Sequence, residues 1–280
     1  MKIIRIFPRR TKATPDDPLA VIGEPDLFSE ADRVHISVTF TWDLPEAERL
    51  YKLWKVVAPT EIGGPATGAR GGDFIPGMYL KKGYVITSRG CPNKCWFCNV
   101  WKREGPLREL PISYGYNVLD DNFLSCSDAH IKAVFSMLAK QNKRPEFTGG
   151  LEPVKLKQWH IDEMMRLKVK QMFFAYDGPE DREPMAEAGR MLKANGITIR
   201  SRVPRCYCLI GYPGDTFENA RKRLEECLEF GFIPMAMLYR DNTGSRSIEW
   251  ARFQTTWARP AIIWTKYKQF YNKEAQHGKC

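Results

Sequence analysis

The chain has 280 residues, 43% of them hydrophobic and 27% charged, with a formal net charge of +10. That is room for one or two domains with a sizeable core. No run of 18 apolar residues occurs, which excludes a helical membrane span, and the cysteines cluster rather than spread, which argues against a disulfide-built secreted scaffold.

The first 76 residues form a region of their own. The opening Met1-Lys2-Ile3-Ile4-Arg5-Ile6-Phe7 is too short and too charged for a signal peptide. Val34–Phe40 has a strand pattern and Pro45–Trp54 a helix pattern. Val56–Ala66 reads as a strand entering a Gly/Pro loop, and Gly63–Gly77 as a linker or lid. This order resembles the second half of a cobalamin-binding α/β domain whose first half is lost. The Asp-x-His-x-x-Gly motif that supplies the lower cobalt ligand in that family is absent, and His35 lies inside a strand. The resemblance implies a vestigial packing region, and no cobalamin is expected.

Gly83-Tyr84-Val85-Ile86-Thr87 has the pattern of a buried strand. The run Ser88-Arg89-Gly90-Cys91-Pro92-Asn93-Lys94-Cys95-Trp96-Phe97-Cys98 follows, with three cysteines spaced C-x3-C-x2-C. Three thiolates this close can hold an iron–sulfur cube but leave one iron open, because the cube usually takes four cysteines. Structural zinc is the alternative; it needs a fourth ligand, for which Cys126 and His130 are the candidates downstream. An electron-carrying ferredoxin would place a fourth thiolate close by. The spacing is the signature of the radical S-adenosylmethionine (radical SAM) superfamily, which this segment resembles. The resemblance implies that Cys91, Cys95 and Cys98 hold a [4Fe–4S] cluster. It also implies S-adenosylmethionine as second cofactor, with Phe97 near its adenine, and an external electron donor such as flavodoxin or ferredoxin. A reducible cluster suits a cytoplasmic location.

Strand and helix patterns then alternate. Tyr116–Phe123, Glu146–Gly149, Val169–Tyr176 and Ile233–Tyr239 read as strands. Ile197–Ile210 holds one strand or a broken pair, because Pro204 interrupts it. Asp128–Gln141, Lys155–Leu167, Pro184–Ala194 and Phe217–Phe230 read as helices. Repeated βα units call for a parallel sheet with right-handed crossovers. About six fit from Tyr84 onward, so residues 77–242 are expected to form an open, partial (β/α)6 TIM-like barrel, the architecture that the resemblance implies independently.

Active sites of α/β barrels occupy the loops after the strands. In Asn117-Val118-Leu119-Asp120-Asp121-Asn122-Phe123, adjacent acids on a strand point to opposite faces, so at most one carboxylate faces inward. The other reading is helix-start chemistry, for which Ser125, Ser127 and Asp128 also offer caps. The element resembles the Asp-Asp-Asn-Phe of the cobalamin-associated branch of the superfamily, which makes Asp120 a cofactor-binding candidate. Thr148-Gly149-Gly150-Leu151-Glu152 resembles the glycine-glycine-glutamate element that holds the amino group of S-adenosylmethionine. Here a leucine intervenes, and the element falls one strand later than in the family. Gly149, Gly150 and Glu152 are candidates on that footing. Asp177 ends the next strand, where relatives place an acid at the cofactor; the alternative is a helix cap. Gly211-Tyr212-Pro213-Gly214-Asp215-Thr216 resembles the Gly-x-Pro-Gly-x-Thr element that approaches adenine, giving Gly211, Pro213 and Gly214, while Asp215 or Thr216 can cap the helix that follows. Tyr176, Arg202, Tyr239, Arg240 and Asp241 are candidates for substrate contact. Cys206 and Cys208, two residues apart, read as core rather than as ligands. Cys126, Cys227 and Cys280 are scattered, and no second cysteine cluster for an auxiliary centre occurs.

Residues 243–280 form a C-terminal helical segment. Trp250, Trp257 and Trp264 recur every seven residues, with Pro260 dividing two helices. Heptad-spaced aromatics are usually core; the alternative is base stacking, with Arg246, Arg252 and Arg259 on phosphates. Net positive charge concentrates in two blocks. Residues 81–110 carry seven Lys/Arg against two Asp/Glu, and residues 240–280 eight against three. An anionic substrate is one reading: a nucleotide, a phosphorylated metabolite or nucleic acid; ordinary solvated surface is the other. The chain also looks like compact stand-alone radical SAM members of phage and prophage, some of which rearrange or decorate bases in DNA. The expected activity is therefore reductive cleavage of S-adenosylmethionine, with the resulting 5′-deoxyadenosyl radical taking hydrogen from an anionic, nucleotide-like substrate. A small-metabolite or peptide substrate and a non-catalytic iron–sulfur or zinc protein stand as alternatives.

Overall fold

The computed structural model describes residues 1–241, 243–258 and 260–277, and side chains to residue 269 apart from that of residue 260. The chain is α/β, with parallel sheets and eight α-helices among the described residues. It divides into two compact units, one of Met1–Lys143 with Thr243 and Gly244, the other of Arg144–Asp241 with the segment from Ser245 onward.

In the first unit, β1 (Ile3–Phe7), β2 (Ala20–Ile22), β3 (Arg33–Ser37) and β4 (Thr60–Gly63) form a parallel sheet in the order β2-β1-β3-β4. The helix α1 (Leu44–Trp54) joins β3 to β4 and buries Ala47, Leu50 and Trp54 against Ile4, Ile6, Val34 and Ile36. The sequence pattern leads to two strands here; four are present. β2 is a three-residue strand at the sheet edge, too short for periodicity to register. Farther along the unit, β5 (Tyr84–Val85) pairs in parallel with β8 (Asn117–Val118), and β6 (Ser88–Arg89) pairs antiparallel with β7 (Arg108–Glu109). Between them lie the cysteine loop and the short helix α2 (Val100–Glu104); α3 (Asp128–Ala139) follows β8, its first turn capped by Ser127 Oγ, which accepts the His130 N–H at 3.2 Å.

The second unit alternates β9 (Glu146–Leu151), α4 (Gln158–Arg166), β10 (Gln171–Ala175), α5 (Arg182–Ala194), β11 (Pro204–Ile210), α6 (Phe217–Glu229) and β12 (Ile233–Leu238). All the strand pairs are parallel, in the order β12-β11-β10-β9. The sequence expectation of strand-helix alternation is met here element by element, and Pro204 begins β11 instead of breaking it. Proline is tolerated as the first residue of a strand, where its missing N–H leaves no gap in the ladder. Two helices close the unit, α7 (Ile248–Thr255) and α8 (Pro260–His277). Trp257 is buried, and Trp250 and Trp264 pack beside it on Ile210, Ala220, Leu224, Leu228 and Ala236. The tryptophan repeat is therefore core; Arg246 and Arg252 are exposed, and Arg259 and Cys280 lie outside the described residues. Cys206, Cys208 and Cys227 are fully buried, as the core reading of the first two requires.

Candidate functional site

The cysteine loop sits on a stem that its own sequence and the Asp-Asp-Asn element build together. β5 ends at Val85, and the residues after it are held by side chains as well as by the β6–β7 ladder. Asp120, only 1% exposed, accepts the Thr87 N–H at 2.6 Å, the Thr87 hydroxyl at 2.6 Å and the Ser88 hydroxyl at 2.7 Å. Burial pushes its carboxyl above the usual range, against the pull of these donors. Asp121 accepts the Gly90 N–H at 2.8 Å, and the Asn122 amide donates to Cys91 Sγ at 3.3 Å. Three consecutive residues thus reach four positions of the stem: 87, 88, 90 and 91. This also explains why the strand expected over Tyr116–Phe123 stops at Val118. Asp120 is a stem residue here, with its oxygens directed at Thr87 and Ser88.

Gly90 turns the chain into the loop at φ +86°, and a Cβ there would lie 2.5 Å from the Pro106 carbonyl oxygen. Glycine is required on both counts. Inside the loop the Cys98 N–H donates to the Cys95 carbonyl at 3.1 Å, and the Val100 N–H donates to Cys98 Sγ at 3.4 Å. Cys91 and Cys98 are half-buried and Cys95 is exposed. Burial pushes the Cys98 thiol up, and the Val100 N–H works against that shift. Among the described residues, no three His, Cys, Asp or Glu side chains converge as a metal-holding set. Phe97 meets Trp96 edge to face at 5.5 Å, and the Trp101 indole N–H donates to the Cys95 carbonyl at 3.0 Å. The fourth-ligand candidates of a zinc site, Cys126 and His130, are both buried. Cys126 lies against Ser88, its thiol pushed up to about 12 by burial, and His130 faces Glu109 at 3.7 Å.

In the basic block over residues 81–110 the three arginines are taken up by one buried acid, while the lysines stay largely at the surface. Arg89, Arg103 and Arg108 surround Glu104, which is 1% exposed, at 3.8, 2.9 and 3.1 Å. Lys81 pairs with Asp16. Lys94 and Lys102 are exposed beside the loop. The same cluster pins the stretch that reads as a linker or lid: Glu104 accepts the Gly71 N–H, and Arg108 and Arg89 donate to the carbonyls of Gly71 and Gly72.

The remaining candidates lie in the second unit. Gly149 and Gly150 fall inside β9, where the register against β10 shifts between Met172 and Phe174. Gly150 takes φ +116° in open space, so backbone conformation and not crowding asks for glycine. Glu152 is half-buried just past the strand and begins the 3-10 turn Pro153–Lys155. Asp177 extends the β10–β11 ladder with its side chain, accepting the Leu209 N–H at 2.8 Å; the helix-start N–H groups of residues 177 and 178 go to Asp181 instead. Burial pushes the Asp177 carboxyl up to about 6, against the Leu209 N–H and with Asp181 adding repulsion. Its neutral form is the better tolerated in the fold. The stability it contributes is therefore complete below the ordinary value of 3.8 and is lost as pH rises through about 6. Asp177→Asn keeps an acceptor for Leu209 without the charge. It should raise stability by about 1–2 kcal/mol at pH 7.5, after discounting for partial exposure, and by nothing at pH 3.5, as thermal melts at the two pH values would read.

The Gly-Tyr-Pro-Gly-Asp turn after β11 is closed by Asp215, whose side chain accepts the Gly211 N–H and Arg223 Nη2, each at 2.9 Å. Arg223 also donates to the Leu209 carbonyl at 2.9 Å, and Thr216, not Asp215, caps α6. Gly211 is at φ +71°, and a Cβ would meet the Trp250 ring at 2.8 Å; Pro213 and Gly214 are exposed. Tyr239 donates its N–H to the Ile210 carbonyl and is half-buried with Arg240, while Asp241 is exposed and accepts the Ser245 N–H. Asp177, Gly211, Tyr239 and Arg240 thus gather at the C-terminal ends of β10, β11 and β12. Two substrate candidates do not join them. Tyr176 is 2% exposed, and its hydroxyl donates to Glu226 at 2.5 Å, with Arg182 on the other oxygen. Arg202 takes φ +60° in the turn before β11, at the opposite end of the sheet. A cavity of about 290 Å³, lined by Lys193, Ile199, Arg200, Phe230 and Tyr267, also lies at that far end. The sequence reading marks the Asp-Asp-Asn run but not its partner Thr87 in the stem, nor Arg223 in the turn, whose partners lie well away along the chain.

No protein-family model matches this chain, and no curated protein matches it.

Proposed function

We propose that the chain is a radical SAM enzyme, with Cys91, Cys95 and Cys98 as the ligands of a [4Fe–4S] cluster. The observation that carries this reading is the stem. A C-x3-C-x2-C loop follows a strand of a parallel α/β pair, and an Asp-Asp-Asn run anchors it at four positions, one of them a cysteine sulfur. The donor set suits such a cluster in chemistry: three thiols on one turn, two of them already accepting N–H hydrogen bonds, as cluster thiolates do. When bound, the cluster and S-adenosylmethionine would supply one-electron cleavage of the sulfonium and a 5′-deoxyadenosyl radical for hydrogen abstraction.

The chain's own part is positional. Asp120 and Asp121 fix the stem, Gly90 lets it turn, and Asn122 and Val100 orient two of the sulfurs. In the second unit, Gly149, Gly150, Glu152, Asp177, Gly211, Pro213 and Gly214 are proposed to receive S-adenosylmethionine, and Tyr239, Arg240 and Asp241 the substrate. The alternation of parallel strands and helices is compatible with an open (β/α)6 barrel. An acidic one-electron carrier of the flavodoxin or ferredoxin kind would supply the electron, and the substrate would be anionic, of the nucleotide class.

The test is anaerobic reconstitution with iron and sulfide, followed by S-adenosylmethionine and dithionite. Four irons per chain with formation of 5′-deoxyadenosine supports the proposal. Retention of zinc, with neither the cluster spectrum nor the nucleoside product, sinks it.

A further inference from the structure

In the second unit the helices α6, α7 and α8 cover one face of the sheet, where Cys208, Ile210 and Ala236 are buried beneath them. Strand alternation places another set on the opposite face. Phe173 pairs with Arg205, Arg205 with Ile233, Tyr207 with Met235, and Leu209 with Met237. This face is exposed along β12, where Met235 is 41% and Met237 44% exposed, and closes toward Phe173, which is buried; Arg205 and Tyr207 between them are half-buried. Phe173 and Tyr207 stack with centroids 4.5 Å apart and planes 17° from parallel.

Arg205 sits in this setting without a polar partner. Its guanidinium carbon lies 5.6 Å from the centre of the Phe173 ring, and its Nε is shielded from solvent with no hydrogen-bond acceptor among the described residues. The other arginines of the unit's interior are engaged: Arg223 with Asp215, and Arg182 with Glu226. Glu146, an acid on the same face, is taken up by Lys170 and Gln171. A shielded N–H without an acceptor costs free energy, and an always-charged guanidinium with free donors is suited to bind a carboxylate or phosphate.

We infer that this face is a binding site for a small molecule bearing one planar ring and one anionic group, of the nucleoside monophosphate class. Arg205 takes the anion, and Tyr207, Met235 and Met237 take the ring and its apolar edge. One guanidinium and one aromatic pair match one phosphate and one ring; a polynucleotide would need several cations along its backbone. The inference rests on the functional reading only in naming this ligand the substrate.

The test is calorimetric titration of the full-length chain with a deoxynucleoside 5′-monophosphate, the parent nucleoside and a single-stranded oligonucleotide. The monophosphate should bind at least about 10-fold tighter than the nucleoside, and Arg205→Met should remove that preference while leaving nucleoside affinity unchanged. Met237→Glu puts a carboxylate on the exposed part of this face and should weaken the monophosphate more than the nucleoside, and it serves if Arg205→Met does not fold. Equal binding of monophosphate and nucleoside to the native chain overturns the inference. So does an undiminished preference in a folded variant, or an oligonucleotide that binds far tighter with a steep salt dependence. Formation of 5′-deoxyadenosine is read separately, so loss of the functional proposal and loss of this site are distinguishable.

Discussion

Cys95→Ala is expected to abolish 5′-deoxyadenosine formation while changing stability by no more than about 0.5 kcal/mol. The side chain is exposed, so little buried area leaves with it. Its neighbours differ. Cys91→Ala removes the acceptor of the Asn122 amide, and Cys98→Ala that of the Val100 N–H, both at half-buried sulfurs. Each of those should cost about 1 kcal/mol in the metal-free chain as well as the activity. Denaturant melts of the metal-free variants, beside product assays of the reconstituted ones, separate the two effects. A Cys95→Ala protein that still forms the nucleoside at the native rate would remove this loop from the chemistry.

Asp120→Ala should destabilise the chain by about 3–5 kcal/mol, the largest effect of any single polar change proposed here. The substitution leaves three donors, the Thr87 N–H and the hydroxyls of Thr87 and Ser88, without their acceptor where the site is 1% exposed. Asp120→Asn keeps one oxygen and should cost less. Because the stem leads directly into Gly90 and Cys91, cluster uptake should fall in the same order as stability. Urea unfolding and iron content, measured on both variants, check this. If Asp120→Ala unfolds at the native urea midpoint, the stem is not what orders the loop.

Some of this was legible in the chain alone. The cysteine spacing is a local signal, as are the helix starts at Ser127 and Thr216 and the turn at Gly211-Tyr212-Pro213-Gly214. A parallel strand buried on both faces reads as an apolar run, so β10 stands out; β12 is as apolar in sequence, although its Met235 and Met237 are exposed. β2 did not, because a three-residue edge strand has no period to detect. The expectation that at most one of two adjacent acids faces inward follows from ideal strand geometry. The chain leaves that geometry after Val118, so Asp120 and Asp121 both reach the same stem. Arg202 and Arg205 show the same limit. They are three residues apart in a basic, Pro-containing stretch, and only the start of β11 at Pro204 separates a turn residue from one on the open face.

The sequence by itself determined the α/β class, the order of strands and helices in the second unit, and the thiol chemistry available in one loop. These depend on residue type and on periods of two or 3.6, which act over a few residues. Only the tertiary structure decided which side chains are consumed internally and which remain available. Three arginines of the basic block are spent on Glu104, Tyr176 on Glu226 and Arg223 on Asp215, while Arg205 is left without a polar partner. Arg103 and Arg108 lie one and four residues from Glu104, but Arg89 meets Glu104, and Tyr176 meets Glu226, only through packing, and the free energy of a buried charge or donor depends on the partner it meets there.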